Sequence, residues 1–148
     1  MATMTVSCMN KTLDVVIAFQ NSFKIDLKGK RFMVFYQNKP HEEIRFELSQ
    51  AEEQKIKEQC LDLISGFNEK EIIINDSCIS FPKLYTIISL KLGNKERKIS
   101  IQMACEKYPP NSDIGMIIRI KDFVNFASKV VNSKPGVKEI PQSDIIYY

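Results

Sequence analysis

The sequence predicts an α+β domain, built from a mainly antiparallel sheet of about six to eight strands with two helices packed on one face. Three observations predict this class. Apolar residues alternate between Leu13 and Leu48, a capped amphipathic stretch follows, and two more alternating segments flank Gly93-Asn94. The helices are too few to alternate with strands as βαβ units, which favours antiparallel pairing.

Length and composition are those of an ordinary globular domain. The 148 residues carry a net charge of +3, from 21 Lys+Arg against 18 Asp+Glu, and 44% are hydrophobic. The apolar runs fall far short of the ~18 residues that a membrane span needs. We predict a flexible N-terminal tail over 1–11, a single α+β domain over 12–134, and a C-terminal tail over 135–148. That last tail either docks as an edge strand or stays mobile.

The first predicted strands share one apolar face. Residues 13–19 alternate with period two, which is typical of a half-buried strand. A hairpin follows, with Gly29-Lys30 as a type II′ turn, because glycine readily takes the positive φ of the first central position. A further strand is predicted over residues 44–48. The hairpin register pairs Leu27 with Phe32, Ile25 with Val34 and Phe23 with Tyr36.

A helix is predicted to begin at Ser49. Ser49-Gln50-Ala51-Glu52 is a capping box, in which the serine hydroxyl accepts from the backbone three residues on and Glu52 reaches back. Gly66 is expected to end the helix in the left-handed conformation. The apolar residues between these ends fall on one helical stripe: Ile56, Cys60, Leu63, Ile64 and Phe67.

The second half of the chain predicts another hairpin and another helix. Gly93-Asn94 is a type II′ turn signal. We expect a strand over Ile114–Ile120, then a helix that Asp122 caps and Pro135-Gly136 ends. The hairpin register pairs Lys91 with Glu96, Ile88 with Ile99 and Leu84 with Met103.

The cysteines predict neither a metal site nor a redox motif. They lie at positions 8, 60, 78 and 105, and no two have the Cys-x-x-Cys spacing. Reduced thiols in a cytoplasmic protein are the simplest interpretation. The alternative is an exported domain, periplasmic or extracellular, whose leader was removed; a Cys78–Cys105 disulfide would favour it.

Catalytic constellations are missing from the sequence. His41 is the single histidine, so a catalytic triad of familiar type has one candidate base and a two-histidine zinc site cannot form within one chain. We predict no catalytic residues, no metal and no cofactor, which favours a non-enzymatic function over an enzyme. The alternative is a small-ligand-binding domain or hydrolase-like enzyme, with a pocket between sheet and helices near His41, Glu42 and Asp76.

The charge pattern argues against nucleic-acid binding. Lysines alternate with acids along the chain rather than forming the basic stripe that such proteins use. The segment Lys28–Phe35 partly matches an RNA-recognition signature, but Lys30 stands where a base-stacking aromatic belongs. A basic hairpin turn that leads into a core strand explains this segment better.

One apolar surplus predicts a partner-binding surface. Val16, Met33 and Phe35 lie on the opposite side of their strands from the main apolar face. If only one side of the sheet is covered, these residues form an exposed apolar patch, unless the C-terminal tail buries them. We therefore expect a protein-interaction domain, such as a small inhibitor, immunity-type or adaptor protein, which binds through a sheet face or edge. Homo-oligomerisation is left open.

Overall fold

The computed structural model describes residues 12–20, 22–79 and 82–145, and these form seven strands and two helices. The α+β class that the sequence predicts is confirmed, with a strand number inside the expected range. In chain order the elements are β1 Leu13–Phe19, β2 Phe23–Asp26, β3 Arg31–Val34, β4 Glu42–Arg45, α1 Gln50–Ser65, β5 Glu71–Ile73, β6 Thr86–Leu92, β7 Lys95–Ile101 and α2 Ile114–Asn132.

The strands form one sheet with the order β4-β3-β2-β1-β6-β7-β5. Every neighbouring pair is antiparallel except β5 with β7. One face of the sheet packs with both helices into a single core, in which the central strands contribute fully buried residues such as Ile17 and Ile88. Two ion pairs show that the helices run antiparallel. Glu52 near the start of α1 pairs with Lys134 beyond the end of α2, and Asp62 near the end of α1 pairs with Arg119 near the start of α2.

The hairpin between β2 and β3 has a different register from the predicted one. Ile25 pairs with Phe32 and Phe23 with Val34, so the prediction is wrong by two residues. The turn spans residues 27–30 because the Asp26 carboxylate accepts from the Gly29 amide at 2.9 Å and from the Arg31 guanidinium at 2.9 Å. A slip of two residues leaves every side chain on the same face, so alternation could not distinguish the two registers.

Gly29 also has a role other than the predicted one. The positive φ in this turn belongs to Lys30, at 54°. A Cβ at position 29 would lie 2.5 Å from an Asp26 carboxylate oxygen, so a larger residue would displace that side chain from its bonds. Gly29 therefore contributes a close approach to Asp26, and Lys30 contributes the left-handed conformation of the turn.

The second hairpin confirms the prediction over most of its length. Lys91 pairs with Glu96 and Ile88 with Ile99, and Gly93 takes a φ of 62°. The ladder ends where Thr86 pairs with Ile101, so the predicted Leu84–Met103 pair is wrong. The strand expected over residues 44–48 lies slightly earlier, at β4.

Helix α1 begins as the sequence predicts. The Ser49 hydroxyl accepts from the Glu52 amide at 3.1 Å, and Glu52 Oε1 accepts from the Ser49 amide at 3.2 Å. The predicted apolar stripe is buried. Gly66 does not take the left-handed conformation; it has a φ of −75°, and its amide donates to the Leu63 carbonyl in a tighter final turn.

Helix α2 corrects two predictions. Residues 114–120 form its first two turns rather than a strand, and the cap is Asp113, whose carboxylate accepts from the Met116 amide at 3.1 Å. Asp122 lies inside the helix. A three-residue apolar run at 116–118 is compatible with either element. Burial at intervals of three and four decides for a helix, through Ile117, Ile120, Phe123, Val124, Ala127, Val130 and Val131.

The segment after α2 packs beside the end of β3. The Tyr36 hydroxyl donates to the Pro141 carbonyl at 2.6 Å, and the Ser143 hydroxyl donates to the Phe35 carbonyl at 2.6 Å. Residues 141–145 form no strand. The predicted N-terminal tail over 1–11 and the last three residues of the C-terminal tail lie outside the described residues. Among the described residues, no helix is long and apolar enough to cross a membrane.

A charge at position 64 should disrupt the core, because Ile64 is 3% exposed on the buried stripe of α1. We expect Ile64→Asp to lower the free energy of unfolding by at least about 3 kcal/mol. Ile118→Asp is the matched control, since that side chain is 52% exposed, and it should change stability by less than about 0.5 kcal/mol. Equal thermal melting of the two variants would contradict this placement of α1.

Glu52 should make stability depend on pH. Its carboxylate accepts from the Lys134 ammonium at 2.7 and 2.8 Å, and this bond lowers the pKa of Glu52 from its ordinary value of 4.5. A lowered folded-state pKa stabilises the fold fully above 4.5 and loses that contribution as pH falls through the lowered value.

Glu52→Gln removes the charge and keeps a side-chain oxygen for the cap. Wild type should exceed this variant by about 1–2 kcal/mol in unfolding free energy at neutral pH, and by nothing once Glu52 is protonated. Chemical denaturation across the acid range measures the difference. A Glu52 difference that persists in strong acid would refute the assignment.

Candidate interaction surface

The face of the sheet opposite the helices carries the three residues predicted to bind a partner. Val16 lies in the centre of β1, between Asp26 of β2 and Ser89 of β6. Met33 lies on β3, and Phe35 follows that strand. All three are half-buried, because neighbouring side chains cover part of them; the Lys24 ammonium, for example, lies 5.7 Å from the Phe35 ring centre. We call this surface the open face.

Charged side chains on the open face pair with one another. A hollow of about 440 Å³ lies over β1, β6 and β7. Around it Glu96 lies 3.6 Å from Lys91 and 3.9 Å from Lys70, and Lys98 lies 3.8 Å from Glu71. Exposed pairs of this kind contribute little to stability. Among the described residues, four basic and three acidic side chains line the hollow, so its charges are nearly balanced.

The alternative polar site does not assemble. His41 and Glu42 lie at β4, at one edge of the sheet, whereas Asp76 follows β5 at the other edge. Six strand spacings separate these edges, about 25–30 Å. His41 is exposed and lies 5.5 Å from the Phe35 ring centre, and Glu42 pairs with Lys39 at 3.5 Å. The three side chains therefore share no reacting centre.

A second cavity, of about 560 Å³, lies between the ends of β2 and β3 and the segment after α2. Its volume is in the range of small-ligand pockets. The described residues that line it include a single titratable side chain, Lys138, so the cavity brings no acid and base together. Its apolar walls are formed by Phe23, Phe32, Val34, Val137 and Ile140.

The exposed large apolar side chains gather at one end of the fold. Within the described part of the chain they are Ile73, Ile79, Leu84, Ile114 and Ile118, with exposures of 54%, 105%, 42%, 49% and 52%. We call these five residues the apolar end.

The topology places these positions near one end of the sheet, with Ile73 on the open face by register and Ile114 and Ile118 on the helix side. Ile73 ends β5, beside the end of β7, since Ile73 pairs with Ser100. Ile79 follows Cys78, which is bonded to Cys105 beyond the end of β7. The Cys105 carbonyl accepts from the Lys121 ammonium, one turn along α2 from Ile118. Leu84 precedes β6 at the same end, and Ile114 lies one turn before Ile118.

Sequence reasoning missed this surface. Ile79 belongs to no alternating or helical apolar pattern, Leu84 was expected to pair with Met103 inside the second hairpin, and isolated exposed apolar residues are ordinary. The strand predicted over residues 114–120 obscured the four-residue spacing of Ile114 and Ile118 on one side of a helix. Their shared location depends on the tertiary fold.

The Cys78–Cys105 disulfide corrects the expectation of reduced thiols. The bond joins Cα atoms 5.9 Å apart and closes a loop of 27 residues. Polar groups surround it. The Asp76 carboxylate accepts from the Cys78 amide and from the Lys83 ammonium, each at 3.0 Å, and the Tyr108 hydroxyl donates to the Cys105 carbonyl at 2.8 Å. Cys60 is a buried free thiol, as expected, and Cys8 lies outside the described residues.

Comparison with known proteins identifies no relative. No protein-family model, curated protein or solved structure matches this chain.

The disulfide should be detectable by peptide mapping. Proteolysis without reductant should yield the peptides of Cys78 and Cys105 as one linked species, which a reductant separates. Replacing both cysteines with serine should lower the free energy of unfolding by about 3–4 kcal/mol, as expected for a closed loop of this length. Peptides that are already separate without reductant would contradict the disulfide.

Proposed function

We propose that this chain is a non-enzymatic protein-interaction domain that binds a partner protein through its apolar end. The observation that carries the proposal is that the five exposed large apolar side chains lie on segments that reach the same end of the fold. Contiguous exposed apolar surface is costly in water and marks interaction sites in soluble proteins. The partner should present a complementary apolar surface.

The sheet edges support binding less well. β4 and β5 are four and three residues long, and their exposed positions are mainly charged. Short, charged edge strands oppose the addition of a foreign strand. Binding by strand addition is therefore less favoured than contact with side chains.

The open face is the second candidate surface. Val16, Met33 and Phe35 share that face, and no described helix covers it. Their half-burial leaves less apolar area for a partner than the apolar end offers. Inhibitor, immunity-type and adaptor proteins all bind other proteins through such surfaces, so the partner's identity would distinguish among these roles.

The disulfide bears on the compartment. Disulfides persist in oxidising compartments and are rare in the cytosol. We therefore propose that the protein works in a periplasmic or extracellular setting rather than in the cytoplasm that the sequence favoured.

A matched set of lysine variants tests the function and the surface together. Ile79→Lys with Ile118→Lys places charge in the apolar end, Met33→Lys places it in the open face, and Gln54→Lys places it on the exposed side of α1. Proteins retained from native extracts by the immobilised wild-type chain are identified, and their affinity for each variant is measured by titration.

The apolar-end variant should bind at least about tenfold more weakly, and Gln54→Lys should bind like wild type. Loss in Met33→Lys alone would transfer the site to the open face. A monomeric wild-type chain that retains no protein, or a partner indifferent to all three variants, would overturn the proposal.

A further inference from the structure

We propose that reduction of the Cys78–Cys105 disulfide creates a binding site for a thiophilic divalent cation, with Zn²⁺ as the expected ion. The proposed ligands are the two cysteine thiolates and the Asp76 carboxylate. This site lies beside the apolar end, but its ligands are not among the five apolar residues and it does not require a partner to bind there.

The three ligand groups already lie together. One carboxylate oxygen of Asp76 and the sulfur atoms of Cys78 and Cys105 are all within 4.8 Å of one another. In a tetrahedral zinc site, with Zn–S near 2.3 Å and Zn–O near 2.0 Å, ligand atoms lie about 3.3–3.8 Å apart. Once the S–S bond is broken, rotation of the two cysteine side chains would increase the distance between the sulfur atoms and bring them closer to the Asp76 carboxylate.

Asp76 has a buried carboxylate oxygen without a hydrogen-bond partner, and a bound cation would satisfy it. Its side chain is 1% exposed, and its Oδ2 has no hydrogen-bond partner within the described structure. Its other oxygen accepts from the Cys78 amide and the Lys83 ammonium. Burying a carboxylate oxygen without a partner is unfavourable, and such groups in folded proteins require an explanation. A metal bound at the unpartnered oxygen would explain its burial.

The surrounding charges suit a divalent ion. Two thiolates and one carboxylate carry three negative charges, which a divalent cation and the Lys83 ammonium balance together. A second ammonium, that of Lys121, donates to the Cys105 carbonyl rather than to the Asp76 carboxylate. With three protein ligands, a water molecule would complete the tetrahedron.

The chemistry makes oxidation and metal binding mutually exclusive. A dithiol reductant supplies two electrons and two protons, the S–S bond breaks to give two thiols, and the dithiol becomes a disulfide. The cation then displaces the two thiol protons, which are released to solvent. The same two sulfur atoms cannot bond to each other and to the metal.

The chain's other thiols can be separated from this site. Burial raises the pKa of the Cys60 thiol to about 12, so it remains protonated. A Cys8→Ser background removes the remaining thiol. In this background the chain is reduced with a dithiol, freed of the reductant without oxygen, and titrated with Co²⁺ and then Zn²⁺, with far-UV circular dichroism recorded throughout.

The reduced chain should bind one equivalent of Co²⁺ with thiolate-to-cobalt charge-transfer absorption, and Zn²⁺ should abolish that absorption. The oxidised chain should give no such signal. Asp76→Asn should lower the affinity of the reduced chain for Zn²⁺ at least about tenfold. Asp62→Asn, an exposed carboxylate on α1, should bind like the background protein. Cys78→Ser should lose the charge-transfer band of one sulfur and most of the affinity.

Three results would overturn the proposal. They are equal binding by oxidised and reduced chains, an unchanged affinity in Asp76→Asn, and a reduced chain that is unfolded and that Zn²⁺ does not refold.

Discussion

Packing of the central strands against the helices is the interaction on which the rest of the fold depends. Ile17, Ile88 and Ile99 form one row across β1, β6 and β7, and each is fully buried. They share the core with Ile120 and Phe123 of α2, which are buried just as completely. Each such side chain contributes about 1.5–3 kcal/mol of burial. Because the row crosses three strands, it holds their registers together.

This one-sided core explains where polar and apolar groups remain at the surface. Because both helices lie on one face, the open face is exposed to solvent, and there the charged side chains pair and the apolar side chains are half-buried. Near the disulfide, by contrast, large apolar side chains stay exposed. There a strand end, an irregular segment and the start of α2 leave isoleucines exposed, and the disulfide and Lys121 connect these segments. A covalent link between segments that carry exposed apolar side chains favours binding, because it reduces the conformational freedom lost when a partner binds.

The sequence predicted those features that local chemistry determines. The Ser49 capping box and the Gly93 turn depend on a few adjacent residues, and both are confirmed. The predictions that failed had two causes. The Gly29 hairpin could shift by two residues without moving any side chain to the other face, and the bonds of Asp26 to Gly29 and Arg31 favour the observed register. The apolar run at 116–118 became helical because of what its residues pack against.

The candidate sites likewise divide into features that local pattern determines and features that the tertiary fold determines. Alternation placed Val16 and Met33 on the open face, since the face of a strand is a local property. It could not bring Cys78 to Cys105, bury Asp76 beside them, or gather exposed isoleucines from a strand end, a loop and a helix. Those arrangements depend on the order of strands in the sheet. β5 joins the sheet by pairing in parallel with β7, and no turn motif in the sequence predicts that pairing.

The position of the disulfide has one more consequence. Cys78 and Cys105 lie on either side of the β6–β7 hairpin, whose tip at Gly93-Asn94 is exposed. The sulfur bridge therefore makes that hairpin part of a covalent ring. A protease that cut the tip would open the ring without releasing either piece, and the two strands would stay paired in the middle of the sheet.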